Sequence, residues 1–453
     1  MNAPRRRAAL LLVGAASLAG TAACGLVIGL SDHEAYPAEG GTGDATQETT
    51  TPETGGPETG GEAATAEAGD AGTDVTDAGP GCDGSVCGSA CVDTQNDDNN
   101  CGGCNVTCDA GACYRGTCGG RQVTGITAGT SHACALLRAG DVWCWGADDQ
   151  AQILGPTGAG SCPGGPCRAP TRIPGLPNAV QISAGGDQTC AVESKGGVWC
   201  WGANAKGGLG HGPGGDPTCT TADGGVACNP TPTKVAGLAP ATSVSSGQIG
   251  FACALVGSTV YCWGDDSQGE LGPVGDGGPS ASPVIVAGNA SALSAGYDHV
   301  CAILAGTPAC WGSNVSGELG HTPGLGDQTC AGGTPCEPAP QTIAVAGASG
   351  VHAGFQASCF TTGSVPSCLG ANDVSQLGTS SDDTSPHTIP VPVTVQSSIS
   401  SLDFGYRTVC AISSGSAHCW GDDQTHQTSA SAPVSCVGGS CQTGSIAVAL
   451  TGS

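Results

Sequence analysis

The segment "CALVGSTVYCWGDDSQGELG" (residues 253–272) combines two cysteines with a short polar turn and β-branched residues. Its first half predicts a β-hairpin that carries one cysteine on each strand, and its glycine-rich second half predicts a tight turn. A two-residue turn at Gly257 and Ser258 places Cys253 opposite Cys262 at a non-hydrogen-bonded position. Because Cα atoms in such a pair lie about 4.5 Å apart, the hairpin can close a cross-strand disulfide.

The same pattern occurs six times after residue 121, with a period of roughly fifty residues. The predicted cross-strand disulfides are Cys134–Cys144, Cys190–Cys200, Cys253–Cys262, Cys301–Cys310, Cys359–Cys368 and Cys410–Cys419. In the first two pairs the cysteines are ten residues apart, which requires one extra loop residue or a bulge. Proline-containing extended stretches such as "PTPTKVAGL" (residues 230–238) separate the units, so we expect about four short strands in each.

Short strands at even spacing with periodic glycine and tryptophan are typical of a β-propeller. We therefore predict an all-β protein with a six-bladed propeller, and a seven-bladed propeller with one degenerate blade is the alternative. The tail "SIAVALTGS" (residues 445–453) is similar to the stretches between units, so we expect it to close the ring by completing the first unit.

The units resemble the regulator-of-chromosome-condensation-1 (RCC1) repeat family, and the resemblance covers about residues 121–453. In the first unit it rests on Gly129, His132, Ala135, Leu136, Gly140, Trp145, Gly146 and Gly155. The resemblance implies a propeller that is usually seven-bladed. It also implies a protein-binding function, since eukaryotic relatives exchange nucleotide on a small GTPase and a bacterial relative inhibits β-lactamase.

The N-terminal residues predict export. Three arginines precede a short apolar stretch, which is typical of a signal peptide over residues 1–23. The sequence "TAAC" resembles a bacterial lipobox and implies lipidation of Cys24, although ordinary cleavage after Ala23 stays an alternative. Residues 24–80 contain an acidic segment without lysine or arginine, which predicts a disordered linker. We expect an exported lipoprotein of the outer membrane or cell surface, anchored in the membrane by its lipid.

Residues 81–120 contain eight cysteines in a segment too short for an apolar core, which predicts a module held together by disulfides of undetermined connectivity. The spacing "CGGC" (residues 101–104) is compatible with zinc binding or redox chemistry, which is a weaker alternative. The run of Asp and Asn residues at 93–100 is interpreted as a turn, with calcium binding as the weaker alternative. Four further pairs lie in loops after the "LG" turns: Cys162–Cys167, Cys219–Cys228, Cys330–Cys336 and Cys436–Cys441. Apart from Cys24, the remaining 28 of the 29 cysteines can then all pair.

No catalytic motif occurs in the sequence, and we expect no catalytic residue, cofactor or metal. One position holds His132, Gln188, Phe251, His299, Ala357 and Thr408 in the six units, a variation that favours packing over catalysis. The acidic pairs Asp148–Asp149, Asp265–Asp266 and Asp422–Asp423 are interpreted as turn residues, with a calcium-binding ring as the alternative. The residues at one repeated position are interpreted as blade packing: Trp145, Trp201, Trp263, Trp311 and Trp420, with Leu369 in the fifth unit. Trp143, Trp199 and Tyr261 share a second position and are also interpreted as packing residues, or as anchors of an interface if they are exposed.

The net charge of −26 argues against a nucleic-acid partner. Export argues against a small GTPase, which is cytosolic. We therefore predict a non-enzymatic binding scaffold that presents its variable loops to a protein or glycan at the cell surface. The alternative is an extracellular polysaccharide hydrolase or lyase with carboxylates at the mouth of the propeller channel.

Overall fold

The computed structural model describes residues 85–87, 90–108, 113–120, 122–162, 165–221, 224–379, 382–414, 416–422, 434–436 and 439–447. The predicted signal peptide (1–23), the lipidation site Cys24 and the linker (24–80) lie outside these residues. Over the ranges described, no helix has the length and apolar character needed to cross a membrane. The chain divides at Gly119 into a small cysteine-rich unit and a larger all-β unit.

The small unit contains two short hairpins held by disulfides. Its strands are β1 (Ser85–Cys87), β2 (Ala90–Val92), β3 (Cys113–Tyr114) and β4 (Thr117–Cys118). The disulfides are Cys87–Cys104, Cys101–Cys113 and Cys108–Cys118, with Cα–Cα distances of 5.2–5.5 Å. Because Cys101 and Cys104 belong to different disulfides, the "CGGC" spacing forms neither a redox pair nor a zinc ligand pair. The side chains of Cys82 and Cys91 lie outside the described residues.

The Asx-rich run of the small unit folds into turns that use its own carboxylates. Asp93 accepts a hydrogen bond from the backbone N–H of Gln95, and Asp97 accepts one from Asn99, each at 2.9 Å. The side-chain amides of Asn96 and Asn100 also donate to these carboxylates and lower their pKa values. The carboxylates therefore serve as turn acceptors, which accounts for the run without calcium.

The large unit consists of six consecutive antiparallel sheets, the blades of a propeller. Blade 1 comprises β5 (Val123–Ala128), β6 (His132–Leu137), β7 (Val142–Ala147), β8 (Gly160–Cys162) and β9 (Gly165–Arg172). Blade 2 comprises β10 (Ala179–Gly185), β11 (Gln188–Glu193), β12 (Val198–Ala203), β13 (Thr218–Thr221) and β14 (Gly224–Lys234). Blade 3 comprises β15 (Ser243–Ser246), β16 (Phe251–Val256), β17 (Thr259–Gly264) and β18 (Ser280–Ala287).

The other three blades follow the same order. Blade 4 comprises β19 (Ala290–Ala295), β20 (His299–Leu304), β21 (Thr307–Ser313), β22 (Gln328–Thr329) and β23 (Pro335–Thr342). Blade 5 comprises β24 (Gly350–Ala353), β25 (Ala357–Thr362), β26 (Val365–Asn372) and β27 (Asp383–Pro392). Blade 6 comprises β28 (Ile399–Phe404), β29 (Thr408–Ser413), β30 (Ser416–Asp422), β31 (Val434–Cys436) and β32 (Gly439–Ala447). Three single-turn 3-10 helices lie in loops, at Pro213–Gly215, Gly272–Val274 and Ala331–Gly333.

The six-bladed prediction is confirmed, but the strand count and the closure of the ring differ from expectation. Blades 1, 2, 4 and 6 carry a fifth, short outer strand, and these are the units with loop cysteines. Cys219 on the extra strand β13 is bonded to Cys228 on β14, and Cys330, directly after the extra strand β22, is bonded to Cys336 on β23. Residues 445–447 of the tail do not complete the first unit, because they belong to β32, which pairs with β30 of its own blade. Residues 448–453 lie outside the described residues.

The six hairpin disulfides occupy directly opposed positions of the second and third strands, with Cα–Cα distances of 4.0–4.2 Å. This distance matches a non-hydrogen-bonded pair, as the spacing of residues 253–272 predicts. Where the paired cysteines are ten residues apart, a three-residue loop connects the two strands. In blade 1 this loop is closed by a hydrogen bond from the Leu137 N–H to the Asp141 carbonyl oxygen. Cys167 is disulfide-bonded. The side chain of its predicted partner Cys162 and those of the pair Cys436–Cys441 lie outside the described residues.

Neighbouring blades pack the cysteine face of one sheet against the tryptophan face of the next. Between blades 1 and 2, for example, Cys134 and Leu136 share a buried cluster with Trp201. The Trp201 indole N–H also donates to the Gln152 carbonyl of the preceding blade at 2.9 Å. Equivalent bonds join Trp263 to Gly208, Trp311 to Glu270 and Trp420 to Gln376. These tryptophans are therefore packing residues, which explains why Leu369 can replace one of them.

Over the described residues, the ring has an open side between blade 6 and blade 1, where side chains are more exposed than their equivalents between other blades. Ile126 on the first strand of blade 1 is 45 % exposed, whereas the equivalent Ile182 of blade 2 is 8 % exposed. On the facing side of blade 6, Cys410 is exposed and Ile412 is 41 % exposed. A Cβ atom added to Gly405 would meet only the Thr408 carbonyl oxygen of its own blade, at 3.6 Å. A Cβ atom added to the equivalent Gly129 would lie 2.5 Å from the Gly186 carbonyl oxygen of the next blade. Among the described residues, buried clusters thus join five successive pairs of blades and none joins the sixth to the first.

Candidate functional site

The variable loops and the inner turns lie at one end of the propeller, which we call the loop face. The inner turns connect the first and second strands of each blade, and the loops after the "LG" turns connect the third strand to the last. Because the strands are antiparallel, both connections lie at the same end of a blade. Contacts bear this out: Gln150 and Gln152, after the third strand of blade 1, donate to Asp187 of the blade 2 inner turn at 2.6 and 3.1 Å.

Three aromatic rings from successive inner turns form a cluster on the loop face. The Tyr297 and Phe355 ring centroids are 4.9 Å apart in an edge-to-face arrangement, and Phe355 lies 4.3 Å from Tyr406. The Arg407 guanidinium lies 5.8 Å from the Phe355 centroid and pairs with Asp373. Tyr406 is 48 % exposed. Partly exposed aromatic clusters of this kind are typical anchors of a binding surface.

Sequence reasoning missed this cluster, although a signal was present. The residue after the glycine of each inner turn is Thr130, Gly186, Gln248, Tyr297, Phe355 and Tyr406 in the six units. The chain is only 4 % aromatic, so aromatic residues at this position in three successive units are a deviation from its composition. The aromatic residues singled out from the sequence behave differently. Trp143, Trp199 and Tyr261 are half-buried on the third strands of their blades, and Trp199 lies 5.8 Å from the Lys234 amine.

A cavity of about 330 Å³ adjoins the aromatic cluster between blades 2 and 3. Tyr297 forms part of its wall, together with Asp187, Gln188, Lys206 and Gln248. The side-chain oxygens of Gln188 and Gln248 are buried and accept no hydrogen bond. Gln188 is held in place because its amide donates to the Phe251 carbonyl at 2.6 Å. Both oxygens are enclosed by protein atoms, so they do not face the open space of the cavity.

Three carboxyl groups are buried beneath the loop face in blades 3 and 4. Burial raises the pKa of Glu318 to about 8 and that of Asp298 to about 6, and it raises the pKa of Glu270 well above its usual range. Glu270 and Glu318 are fully buried, whereas the Asp298 side chain is 15 % exposed. Each glutamate accepts a hydrogen bond from the backbone N–H two residues earlier: Glu270 from Gln268, and Glu318 from Ser316. The same position holds glutamines in blades 1 and 5, so its acceptor role is structural.

The two histidines of the repeat position are interblade packing groups. His132 Nε2 lies 2.7 Å from Thr189 Oγ1 of blade 2, and His299 Nε2 lies 2.9 Å from Ser358 Oγ of blade 5. Burial lowers the pKa of each imidazole to about 4, so both are neutral at physiological pH. Neither histidine lines the cavity. This arrangement agrees with the packing interpretation of the sequence.

The acidic pairs cap their own loops. Asp148 Oδ1 accepts the N–H groups of Ile153 and Gly155, and its second oxygen pairs with Arg168. Asp266 accepts the N–H groups of Leu271 and Gly277. Asp423 lies outside the described residues. Within the described part of the chain, the only convergent ligand set is Cys101, Cys108 and Cys118, and those sulfurs are all engaged in disulfides.

Family comparison agrees with the geometry of the blades. Models described as "Regulator of chromosome condensation (RCC1) repeat" match residues 123–152 and 179–207, and residues 139–192 and 195–254. RCC1 repeats are present in this chain. The E3 ubiquitin-protein ligase HERC2 of Homo sapiens is 29 % identical over 159 residues, which are 34 % of this chain and 3 % of that protein. The regulator of chromosome condensation of Drosophila melanogaster is 29 % identical over 131 residues, 28 % of this chain and 22 % of that protein.

Solved structures with this fold share little sequence with the chain. Prp20p from Saccharomyces cerevisiae superposes with a TM-score of 0.56 at 18 % identity, covering 72 % of this chain and 76 % of that chain. Human WBSCR16 superposes with a TM-score of 0.56 at 17 % identity, covering 75 % and 87 %. These RCC1-type neighbours support the propeller fold. The chain spans only a small part of the HERC2 sequence it matches, so the likeness to HERC2 is confined to its repeats.

Proposed function

We propose that this RCC1-repeat protein is a non-enzymatic binding scaffold whose ligand surface is the loop face of the propeller. The observation that carries the proposal is the partly exposed cluster of Tyr297, Phe355 and Tyr406, which adjoins a cavity on the loop face. The ligand class is a protein or a glycan. The surrounding loops differ in length between blades while the hairpin disulfides fix the sheets, an arrangement suited to recognition.

The proposal includes an extracellular location. We propose that residues 1–23 direct export, that Cys24 carries the lipid and that the propeller acts at the outer membrane or cell surface. The number of disulfides supports an oxidising compartment. One solved relative, Prp20p, is described by its binding properties to Gsp1p and histones, so propellers of this type can bind proteins. Because an exported chain does not meet a cytosolic small GTPase, we expect a different partner here.

The buried carboxyl groups favour one second candidate, a polysaccharide hydrolase or lyase. Such an enzyme needs two carboxyl groups that flank the scissile bond. Glu270 and Glu318 are fully buried and cannot contact a substrate, so of the three groups only Asp298 reaches the surface. Binding therefore fits the geometry better than hydrolysis. A reducing-end assay on polysaccharides decides: turnover that disappears in Asp298→Asn would establish the enzyme instead.

The binding proposal is tested by selection against the oxidised full-length protein. The probes are a glycan array and a displayed random-peptide library, each screened against the wild type and against the triple variant Tyr297→Ala, Phe355→Ala and Tyr406→Ala. Ile389→Ala is the control, because Ile389 is 75 % exposed on the last strand of blade 5. We expect selected ligands to bind the control normally and the triple variant at least tenfold more weakly. Ligands that bind the triple variant unchanged, or an absence of ligands, would overturn the proposal.

A further inference from the structure

We propose that the aromatic cluster of the loop face binds a basic polypeptide segment of a partner protein, one that carries arginine or lysine side chains among apolar ones. The inference rests on the proposed function and names the partner chemistry of the same surface. Its basis is the combination of partly exposed aromatic rings with an excess of negative charge around them. The rings supply apolar contact, and the charge selects the sign of the partner.

The charge of the propeller is divided unevenly between its blades. Blades 1 and 2 (residues 123–234) contain six basic and seven acidic residues. Blades 3 to 6 (residues 243–447) contain fourteen acidic residues and a single basic residue, Arg407. Burial raises the pKa values of two of the fourteen, Glu270 and Glu318, but the others still greatly outnumber Arg407. The aromatic cluster belongs to blades 4 to 6, so it lies in the part of the ring that attracts cations and repels anions.

Carboxylates lie close to the rings of the cluster. Asp298 directly follows Tyr297 in the inner turn of blade 4, and its side chain is 15 % exposed. Burial raises the pKa values of Tyr297 and Tyr406, and the negative charge of Asp298 raises both further. The Asp422 carboxylate also raises the pKa of Tyr406. Negative charges that act on the tyrosine hydroxyls in this way also stabilise a cation that docks on the rings.

One cation of the chain already lies against the cluster and shows that its rings accept a guanidinium group. The Arg407 guanidinium carbon lies 5.8 Å from the Phe355 ring centroid, and the same group pairs with Asp373. An aromatic face together with a carboxylate partner suits the planar, weakly hydrated guanidinium group. Because the charge of Arg407 is balanced by Asp373, the surroundings of the cluster as a whole stay negative.

Exposed apolar side chains on the loops of blades 3 and 4 favour a polypeptide over a small polycation. Val274 is 61 % exposed in the loop of blade 3, and Leu325 is 73 % exposed in the loop of blade 4. Both loops connect a third strand to a last strand, so they lie at the loop face. A polypeptide segment can cover such residues with apolar side chains while its cationic side chains reach the rings and carboxylates. A polyamine supplies charge alone, and a neutral glycan gains nothing from the negative field.

The test measures binding of defined peptides to the oxidised full-length protein by calorimetry at neutral pH. The basic probe is a dodecapeptide made of three Arg-Leu-Gly-Ser repeats. The same peptide with citrulline in place of arginine keeps the size and removes the charge, and a version with glutamate reverses the charge. Spermine is the small polycation. We expect the arginine peptide to bind, with an affinity that falls as salt rises, and each of the other three probes to bind at least about tenfold more weakly.

Arg407→Gln distinguishes this site from general attraction to an acidic chain. The inner turn of blade 5 carries Gln356 at the same position, so a glutamine is compatible with the turn. Removal of the guanidinium group uncovers the Phe355 ring and leaves Asp373 without its cation. We therefore expect Arg407→Gln to bind the arginine peptide about fivefold more tightly than the wild type, which is the effect of about one charge pair in water. A variant that is merely damaged would not gain affinity.

Two loss-of-binding variants and one matched control complete the design. Tyr406→Ala removes the most exposed ring, and Asp298→Asn removes one negative charge beside the cluster. Each should bind the arginine peptide about fivefold more weakly than the wild type. Glu193→Gln is the control for loss of one negative charge: Glu193 ends β11, which begins at an inner turn, so it lies at the opposite end of its blade from the loop face. The control should bind as the wild type does.

The remaining outcomes separate this inference from the proposed function. If neutral or acidic peptides selected from the random library bind the loop face and the arginine peptide does not, the inferred partner chemistry is wrong and the scaffold function stands. If no probe or selected ligand distinguishes the triple aromatic variant from the wild type, both fail. Unchanged or weaker binding by Arg407→Gln, or equal binding of spermine and the arginine peptide, also refutes the inference. Thermal unfolding of each variant verifies that it is folded.

Discussion

Replacing Glu318 with glutamine is expected to remove much of the pH dependence of propeller stability. Burial raises the pKa of Glu318 from its ordinary 4.5 to about 8, so the folded chain binds this proton more tightly than the unfolded chain. The contribution of this proton to the free energy of unfolding is therefore full below about pH 4.5 and is lost as the pH rises toward 8. At about 1.4 kcal/mol for each pH unit of pKa difference, the loss amounts to about 5 kcal/mol.

Glutamine suits this position because blades 1 and 5 already carry Gln152 and Gln376 there. In both blades the glutamine oxygen accepts the N–H two residues earlier, at 2.9 and 3.0 Å, as Glu318 does with Ser316. Glu318→Gln thus keeps the hydrogen bond and removes the proton equilibrium. The variant should be more stable than the wild type at pH 8 and close to it at pH 5.

The assay is denaturant unfolding at pH 5 and pH 8 with the disulfides intact. Glu337→Gln is the control, because Glu337 is partly exposed and also accepts a local backbone N–H, that of Ala339 two residues later. We expect the free energy of unfolding of the wild type and the control to fall by several kcal/mol between the two pH values, and that of Glu318→Gln to fall markedly less. A variant that retains the wild-type fall would refute the assignment of the proton to Glu318.

The remaining predictions concern the disulfides, the open side and the anchor. Replacing Cys253 and Cys262 with serine should lower the free energy of unfolding by at least about 2–3 kcal/mol, measured by denaturation, because a ten-residue loop is released. Ile182→Ala should lower the free energy of unfolding by about 2–5 kcal/mol, and Ile126→Ala by less than about 0.5 kcal/mol, since only Ile182 is covered by a neighbouring blade. Equal losses in the two variants would show that the ring is closed in solution. Intact mass before and after reduction and alkylation should show a lipid on Cys24 and thiols that react only after reduction, whereas free thiols in the native protein would contradict export.

The architecture of the blades could be predicted from the sequence because its signals are local. The nine-residue separation of Cys253 and Cys262 dictates a two-residue turn, and the structure pairs Val256 with Thr259 around that turn. Six repetitions of this signal give six blades. The failure of the tail prediction has the same origin: residues 445–447 are similar to the outer strands of every unit, so similarity alone cannot tell which blade they join. Register with Cys419 decides in favour of blade 6.

The candidate site could not be predicted because it depends on contacts between blades. Tyr297, Phe355 and Tyr406 are separated by about fifty residues and meet only when three inner turns converge. The raised pKa of Glu318 is equally non-local, because neither its burial nor the nearby Asp298 can be read from the segment around it. The open side likewise appears only when the exposure of Ile126 is compared with that of its counterparts in other blades.

The hairpin cysteines act as core residues as well as crosslinks, and this connects the composition to the site. Cys134 and Cys144 are fully buried and pack in the same cluster as Trp201. A disulfide fills volume and fixes strand register at once, so a chain with 79 glycines and few aromatics can still form rigid blades. The aromatic side chains are then not all needed in the core. Three of them are placed on the loop face, where Tyr406 is 48 % exposed, as the proposed ligand surface requires.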